Sequence, residues 1–253
     1  MILDLFKLNG RTALVTGGSR GLGQAIARGL AEAGADVACV SRSGEAAETA
    51  RLVEGAGRKF LDLKVDLSHP EQRKGIADQV VDEFGSLDIL VNNAGTGTRH
   101  PPEEYPENEW RDLLEVHLTA SFDLSQQAAP FMFKRGRGKI INIGSVMCYQ
   151  GGWQVPAYTA AKHGLAGLTK SLATSWSSRG INVNCIAPGY FATDLTDTLR
   201  NHVTRGPEIL NRIPCGRWGE PDDLAGLAVF LASDASNYMH GSIIPIDGGW
   251  LAR

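Results

Sequence analysis

Cysteine is scarce and scattered in this chain. Its four copies, Cys39, Cys148, Cys185 and Cys215, form no C-x-x-C pair and no zinc-ligand spacing. That argues against a disulfide scaffold and for no metal site; reduced packing thiols in a cytoplasmic protein are the expectation. Charge of one sign is lacking too. A net charge of −3 provides no footprint for nucleic acid. Long apolar runs are missing: none approaches the ~20 residues of a membrane span, and Met1–Leu8 has neither the apolar core nor the cleavage site of a secretory signal. No Pro/Ser/Gly-rich linker and no repeat divides the chain. One domain over 1–253 is therefore expected, large enough to bury a core unaided.

What is present is alternation. Short apolar runs at Thr12–Thr16, Val37–Val40, Phe60–Val65, Leu87–Val91, Lys139–Ile143, Ile181–Ile186 and Ile243–Ile246 read as strands. Helical patterns fall between most of them, over 22–33, 45–56, 68–84 (with Ser68 as a cap), 107–134, 157–178 and 221–231. Strands buried on both faces and separated by helices predict a doubly wound, Rossmann-type α/β domain: a central parallel seven-stranded sheet with helices on both sides. Residues 190–219 break the rhythm. They are irregular and follow a strand's carboxyl end, where open α/β sheets bind ligands, so a substrate lid is expected there.

The first strand runs into Thr16-Gly17-Gly18-Ser19-Arg20-Gly21-Leu22-Gly23. A strand, a glycine-rich turn and a helix N-terminus form a seat for a dinucleotide pyrophosphate, because backbone amides reach phosphate only where no Cβ intervenes. The second strand ends at Ser41-Arg42 with no acid at its tip. Arg42, with Arg20 in the turn, suits the 2′-phosphate of NADP, while nearby Glu45 leaves NAD open. Asp66 is a candidate acceptor for the adenine amino group. Asn92-Asn93-Ala94-Gly95 follows the fourth strand and either lets the adenosine ribose approach or ties strands together.

Tyr158 and Lys162 are four apart in a helical pattern and therefore share a face, and Ser145 follows the fifth strand. An ammonium near a phenol lowers a pKa that is otherwise near ~10. Such a set moves a proton to or from an alcohol oxygen while a cofactor carries the hydride.

Together with Pro188-Gly189 and Thr193, these motifs resemble the short-chain dehydrogenase/reductase family along the whole chain. The resemblance implies Tyr158 as general acid/base, Ser145 steadying the substrate oxygen, and Lys162 holding the nicotinamide ribose and activating the tyrosine. It implies a cofactor site of Gly17, Ser19, Arg20, Gly21, Leu22, Gly23, Ser41, Arg42, Asp66, Leu67, Asn93, Tyr158, Lys162, Pro188, Gly189, Phe191 and Thr193. His117 stands where the family has an asparagine that holds a relay water. It either serves through its ring, which ordinarily titrates near neutral pH, or through its backbone carbonyl, or it is a packing substitution. A homotetramer is also implied, with Trp250-Leu251 buried against a neighbouring subunit.

Three stretches, Ile186–Thr193, Arg212–Trp218 and Asp247–Arg253, resemble a narrower branch of gluconate 5-dehydrogenases and 2-dehydro-3-deoxy-D-gluconate 5-dehydrogenases. That implies a sugar-acid substrate. Arg99 is the first candidate for its carboxylate, followed by Arg212 and Arg217, with Gln150, Trp153 and Tyr190 lining the pocket. A 3-oxoacyl-thioester reductase of the same fold and a cofactor-sensing binding protein with little catalysis are the rival expectations.

Overall fold

The structure is a computed structural model that describes residues 1–253. Seven strands are present: β1 (Thr12–Thr16), β2 (Asp36–Ser41), β3 (Phe60–Lys64), β4 (Ile89–Asn92), β5 (Gly138–Ile143), β6 (Ile181–Pro188) and β7 (Ile243–Ile246). All pair in parallel, in the order β3-β2-β1-β4-β5-β6-β7. Ten helices accompany them: α1 (Gly21–Glu32), α2 (Ala47–Gly55), α3 (Pro70–Arg73), α4 (Ile76–Phe84), α5 (Glu107–Leu114), α6 (Ala120–Arg135), α7 (Pro156–Trp176), α8 (Asp194–Arg200), α9 (Arg205–Arg212) and α10 (Pro221–Ala232).

Successive strand residues point to opposite faces, and each face supports its own core. Val15, Val37, Ile89, Val91, Ile141 and Ile186 pack with Ile26 and Leu30 of α1 and Leu224, Ala228 and Leu231 of α10. Leu14, Val40, Leu90, Ile140 and Val183 pack with Val80 of α4, Leu124 and Met132 of α6 and Leu172 of α7. Each buried leucine or isoleucine stabilises by about 1.5–3 kcal/mol. The strand order reverses between β1 and β4, which opens a crevice at their carboxyl ends.

The helices differ from the sequence reading in two places. The 68–84 pattern is split at Gly75, which adopts φ 74°, and Ser68 caps no helix: its hydroxyl donates to Asp66, and His69 precedes α3. The 107–134 pattern is interrupted by a π-helical segment at Glu115–Thr119 that carries His117. Residues 190–219 contain α8 and α9, and their ends are joined by a parallel bridge between Phe191 and Gly219.

Candidate active site

The glycine turn is closed by sterics. Gly17 has φ 65°, and a Cβ there would stand 2.9 Å from Ala94 Cα; a Cβ on Gly23 would stand 2.1 Å from the Gly17 carbonyl oxygen. Asn93 clamps the turn, its Nδ2 donating to the carbonyls of Thr16 (2.9 Å) and Gly17 (3.2 Å). The N-terminus of α1 has no side-chain cap, so its first amides face outward beside Ser19, Gly21 and Leu22. This cradle fits an anionic dinucleotide. Thr193 lies over it, its Cγ2 3.6 Å from the position of a Cβ on Gly21.

Arg42 is exposed just past Ser41, whose hydroxyl accepts from the Gly44 amide at 3.1 Å. Arg20 points elsewhere: it pairs with Asp194 of α8 at 3.6 Å, both side chains largely exposed. Burial works against the Asp66 carboxylate, but two hydrogen bonds from Ser68 with His69 and Arg42 nearby hold its pKa below the usual range. Leu67 is buried, and its carbonyl accepts from Arg73. Gly189 donates to the Ile246 carbonyl at 2.9 Å, directly after Pro188 at the end of β6. The Phe191 ring lies in the core, so only its backbone is free to face a ligand.

Ser145, Tyr158 and Lys162 converge at the end of β5. Ser145 Oγ accepts from the Met147 amide at 3.1 Å, which leaves its O–H free to donate. Lys162 Nζ donates to the Ile143 carbonyl at 2.6 Å and lies 5.4 Å from the Tyr158 ring centroid. The electrostatics depart from the expectation that Lys162 lowers the tyrosine. Burial pushes the Tyr158 phenol up to about 12 against the downward pull of Ser145. Burial also brings the Lys162 ammonium down to about 8. Removal from water is the largest influence on both groups and disfavours the charged form of each.

His117 is also unlike its free form. Its ring is buried, Nε2 sits 2.7 Å from the Thr96 carbonyl and 3.1 Å from the Thr96 amide, and its edge meets the Tyr158 ring at 5.3 Å between centroids. Burial, then the Lys162 charge, lowers its pKa to about 3. It is a neutral imidazole with no titration near neutral pH, which removes that part of the sequence expectation. Its carbonyl accepts from Ser121 Oγ at 3.0 Å, and its Nδ1 is buried without a partner.

Farther out, Tyr190 packs in one cluster with Tyr158, Trp218 and Trp250. Trp250 is buried within its own chain, 4.6 Å from the Tyr190 ring and 4.0 Å from the Arg212 guanidinium, rather than awaiting a neighbouring subunit. Gln150 is half-buried in the loop before α7. Arg99 donates to the Trp153 carbonyl at 2.7 Å, and Arg217 is paired with Asp223 outside this group. Arg205, which no sequence pattern singled out, lies over Trp153.

A crevice at the sheet's switch point, a glycine cradle and a Ser/Tyr/Lys cluster define a nicotinamide-dependent oxidoreductase fold. Comparison with known proteins agrees. Residues 17–251 match a family profile described as enoyl-(acyl carrier protein) reductase. The chain is 52% identical over 250 residues to a 2-dehydro-3-deoxy-D-gluconate 5-dehydrogenase from Bacillus subtilis (strain 168), covering 99% of this chain and 98% of that protein. A putative NAD(P)-dependent gluconate 5-dehydrogenase from Beutenbergia cavernae, crystallised with NADP bound at low occupancy, superposes with a TM-score of 0.94 at 44% identity, over 98% of this chain and 100% of that one. A gluconate 5-dehydrogenase from Burkholderia cenocepacia, in complex with NADP and tartrate, gives 0.95 at 38% identity over 100% of both chains. The chain belongs to the short-chain dehydrogenase/reductase family, whose members are nicotinamide-dependent oxidoreductases.

Proposed function

We propose that this enzyme uses NADP to interconvert a secondary alcohol and a ketone on a sugar acid of the gluconate or 2-dehydro-3-deoxygluconate type. The observation that carries the reading is the Ser145/Tyr158/Lys162 cluster packed through Tyr158 against Tyr190, whose phenol is acted on by the charges of three arginines, Arg205, Arg99 and Arg212. The names of the similar proteins support the same substrate class and cofactor.

When bound, the nicotinamide supplies or accepts the hydride. The remaining steps belong to the chain. Ser145 O–H donates to the substrate oxygen. Tyr158 gives that oxygen its proton in reduction and takes it in oxidation. Lys162 keeps two N–H donors beyond the one on Ile143, which suits a ribose. The α1 amides take the pyrophosphate, and unpaired Arg42 takes the 2′-phosphate. Residues 190–219 act as the lid. The proposal includes a homotetramer in the cytoplasm, the assembly being checked by light scattering of the purified enzyme.

Initial rates with gluconate, 5-ketogluconate, 2-dehydro-3-deoxygluconate and an acetoacetyl thioester, each with NADP and NAD, test the reading. A sugar acid is expected to turn over, and Tyr158→Phe is expected to lose about 10²–10⁴ of kcat while still binding cofactor. Turnover of the thioester alone overturns it. The assay also has a pH signature. A phenol near 12 is protonated at neutral pH, so reduction has its proton in place and oxidation awaits the phenolate. Oxidation is expected to climb between about pH 7 and about pH 10 while reduction does not.

A further inference from the structure

Three separate segments meet at one indole. Trp153 comes from the loop before α7, Arg99 from the loop after β4, and Arg205 is the first residue of α9. The Arg99 guanidinium carbon lies 5.6 Å from the Trp153 ring centroid and that of Arg205 4.4 Å from it. The two loops are stitched by Arg99 Nη1 donating to the Trp153 carbonyl (2.7 Å) and the His100 amide donating to the Gln154 carbonyl (3.1 Å). Gln154 is the only non-glycine residue with positive φ, at 57°. Such backbone is disfavoured for a residue with a side chain and persists where its surroundings over-determine it. Trp153, directly before Gln154, stands 60% exposed and flanked by the two guanidiniums.

The charges in this group are uncompensated. Neighbouring Arg200 and Arg217 are paired with Asp197 and Asp223, whereas Arg99, Arg205 and Arg212 form no ion pair. Arg99 has its pKa lowered by burial first and then by the Arg205 charge. Two guanidiniums converging without an acid repel each other, and an incoming carboxylate reverses that repulsion while taking bidentate hydrogen bonds.

We propose that Arg205 and Arg99 form a two-armed seat for the substrate carboxylate, with Trp153 as the platform that keeps both guanidiniums aimed at the cleft. This rests on the sugar-acid reading above and deepens it. Arg205 belongs to the segment 190–219, so the acid itself draws that segment over the substrate. An uncharged polyol of the same length lacks this pull, and recognition of the acid is thereby coupled to covering of the site.

The test compares an acid with its neutral twin. With the sugar acid that turns over, Arg205→Met is expected to raise KM roughly 10- to 100-fold, the equivalent of one lost charge-assisted pair. The carboxamide of the same acid is expected to show an unchanged KM, and Arg205→Lys to fall between wild type and Met for the acid. Equal effects on acid and carboxamide, or no effect on either, overturn the seat. A second readout is tryptophan fluorescence of the NADP-loaded enzyme titrated with gluconate and with glucitol. Wild type that binds gluconate no better than glucitol overturns the seat and undercuts the sugar-acid reading. Wild type that prefers gluconate, with Arg205→Met preferring it equally, overturns the seat alone.

Discussion

Two buried lysines stand at opposite ends of the same sheet, and the protein treats them differently. Lys139 is the second residue of β5, and Lys162 lies on α7 with its Nζ at that strand's far end. Burial brings both ammonium groups down to about 8, with Arg11 adding to it at Lys139. Lys139 Nζ donates to Asn237 Oδ1 at 2.8 Å and Ser236 Oγ at 3.3 Å, and the Asp234 carboxylate offsets part of its burial. Around it Arg11 reaches the Ala232 carbonyl at 3.0 Å and Asp234 at 2.7 Å, and Asp88 takes Thr12, Ser86 and Arg135. Lys162 has one carbonyl and no carboxylate. A satisfied charge network fixes a fold, whereas unspent donors at equal burial mark a place reserved for something else.

The contrast is sharpest in a pair of substitutions. Lys162→Met is expected to lower kcat by about 10²–10³ with the melting temperature unchanged or raised, because it removes a buried charge with little pairing. Lys139→Met is expected to cost about 1–3 kcal/mol of stability by leaving the buried Ser236 hydroxyl oxygen without its donor, with turnover per folded molecule intact. Calorimetry and initial rates on both variants check this; matching losses of activity and stability in the two break the comparison.

The same logic extends to the arginines of the nucleotide side. Arg11 is held by a carbonyl and a carboxylate, whereas Arg42 forms no ion pair. Arg42→Ala is expected to weaken NADP by roughly 10-fold, one charge-assisted contact, with NAD unaffected. Binding of both nucleotides by titration calorimetry decides, and parallel losses for the two would show that Arg42 does not read the 2′-phosphate.

The smallest effect is expected at His117. Its ring is neutral and its carbonyl survives substitution, so His117→Asn is expected to keep kcat within about 10-fold, below the usual share of a general acid or base. A collapse by orders of magnitude in the pH-rate profile would restore the ring to the proton path.

The inner strands were readable in the sequence because strands buried on both faces are near-continuous apolar runs, and the half-buried edge strand β7 keeps an apolar run as well. Thr12–Thr16 and Ile243–Ile246 coincide with β1 and β7 to the residue. The glycine turn was readable because sterics admit nothing larger than hydrogen there. The π segment at Glu115–Thr119 was not, since one extra residue per turn barely disturbs a helical pattern. The raised Tyr158 pKa was hidden because burial is a tertiary property. Arg205 was hidden because it meets Arg99 across more than a hundred residues of chain; its only local signal is a place at the start of α9.

The bridge between Phe191 and Gly219 has an evolutionary reading. It brings the two ends of a long excursion to adjacent-strand spacing, about 4.8 Å apart. Closure entropy grows only slowly with length, so the intervening residues form a cassette. Segments of other lengths and charges can be exchanged between those two anchor points while the sheet and the proton-transfer cluster stay in register. A graft of residues 192–218 from a relative would replace Arg205 and Arg212 between those anchors while leaving Ser145, Tyr158, Lys162, Arg99 and Trp153 in place.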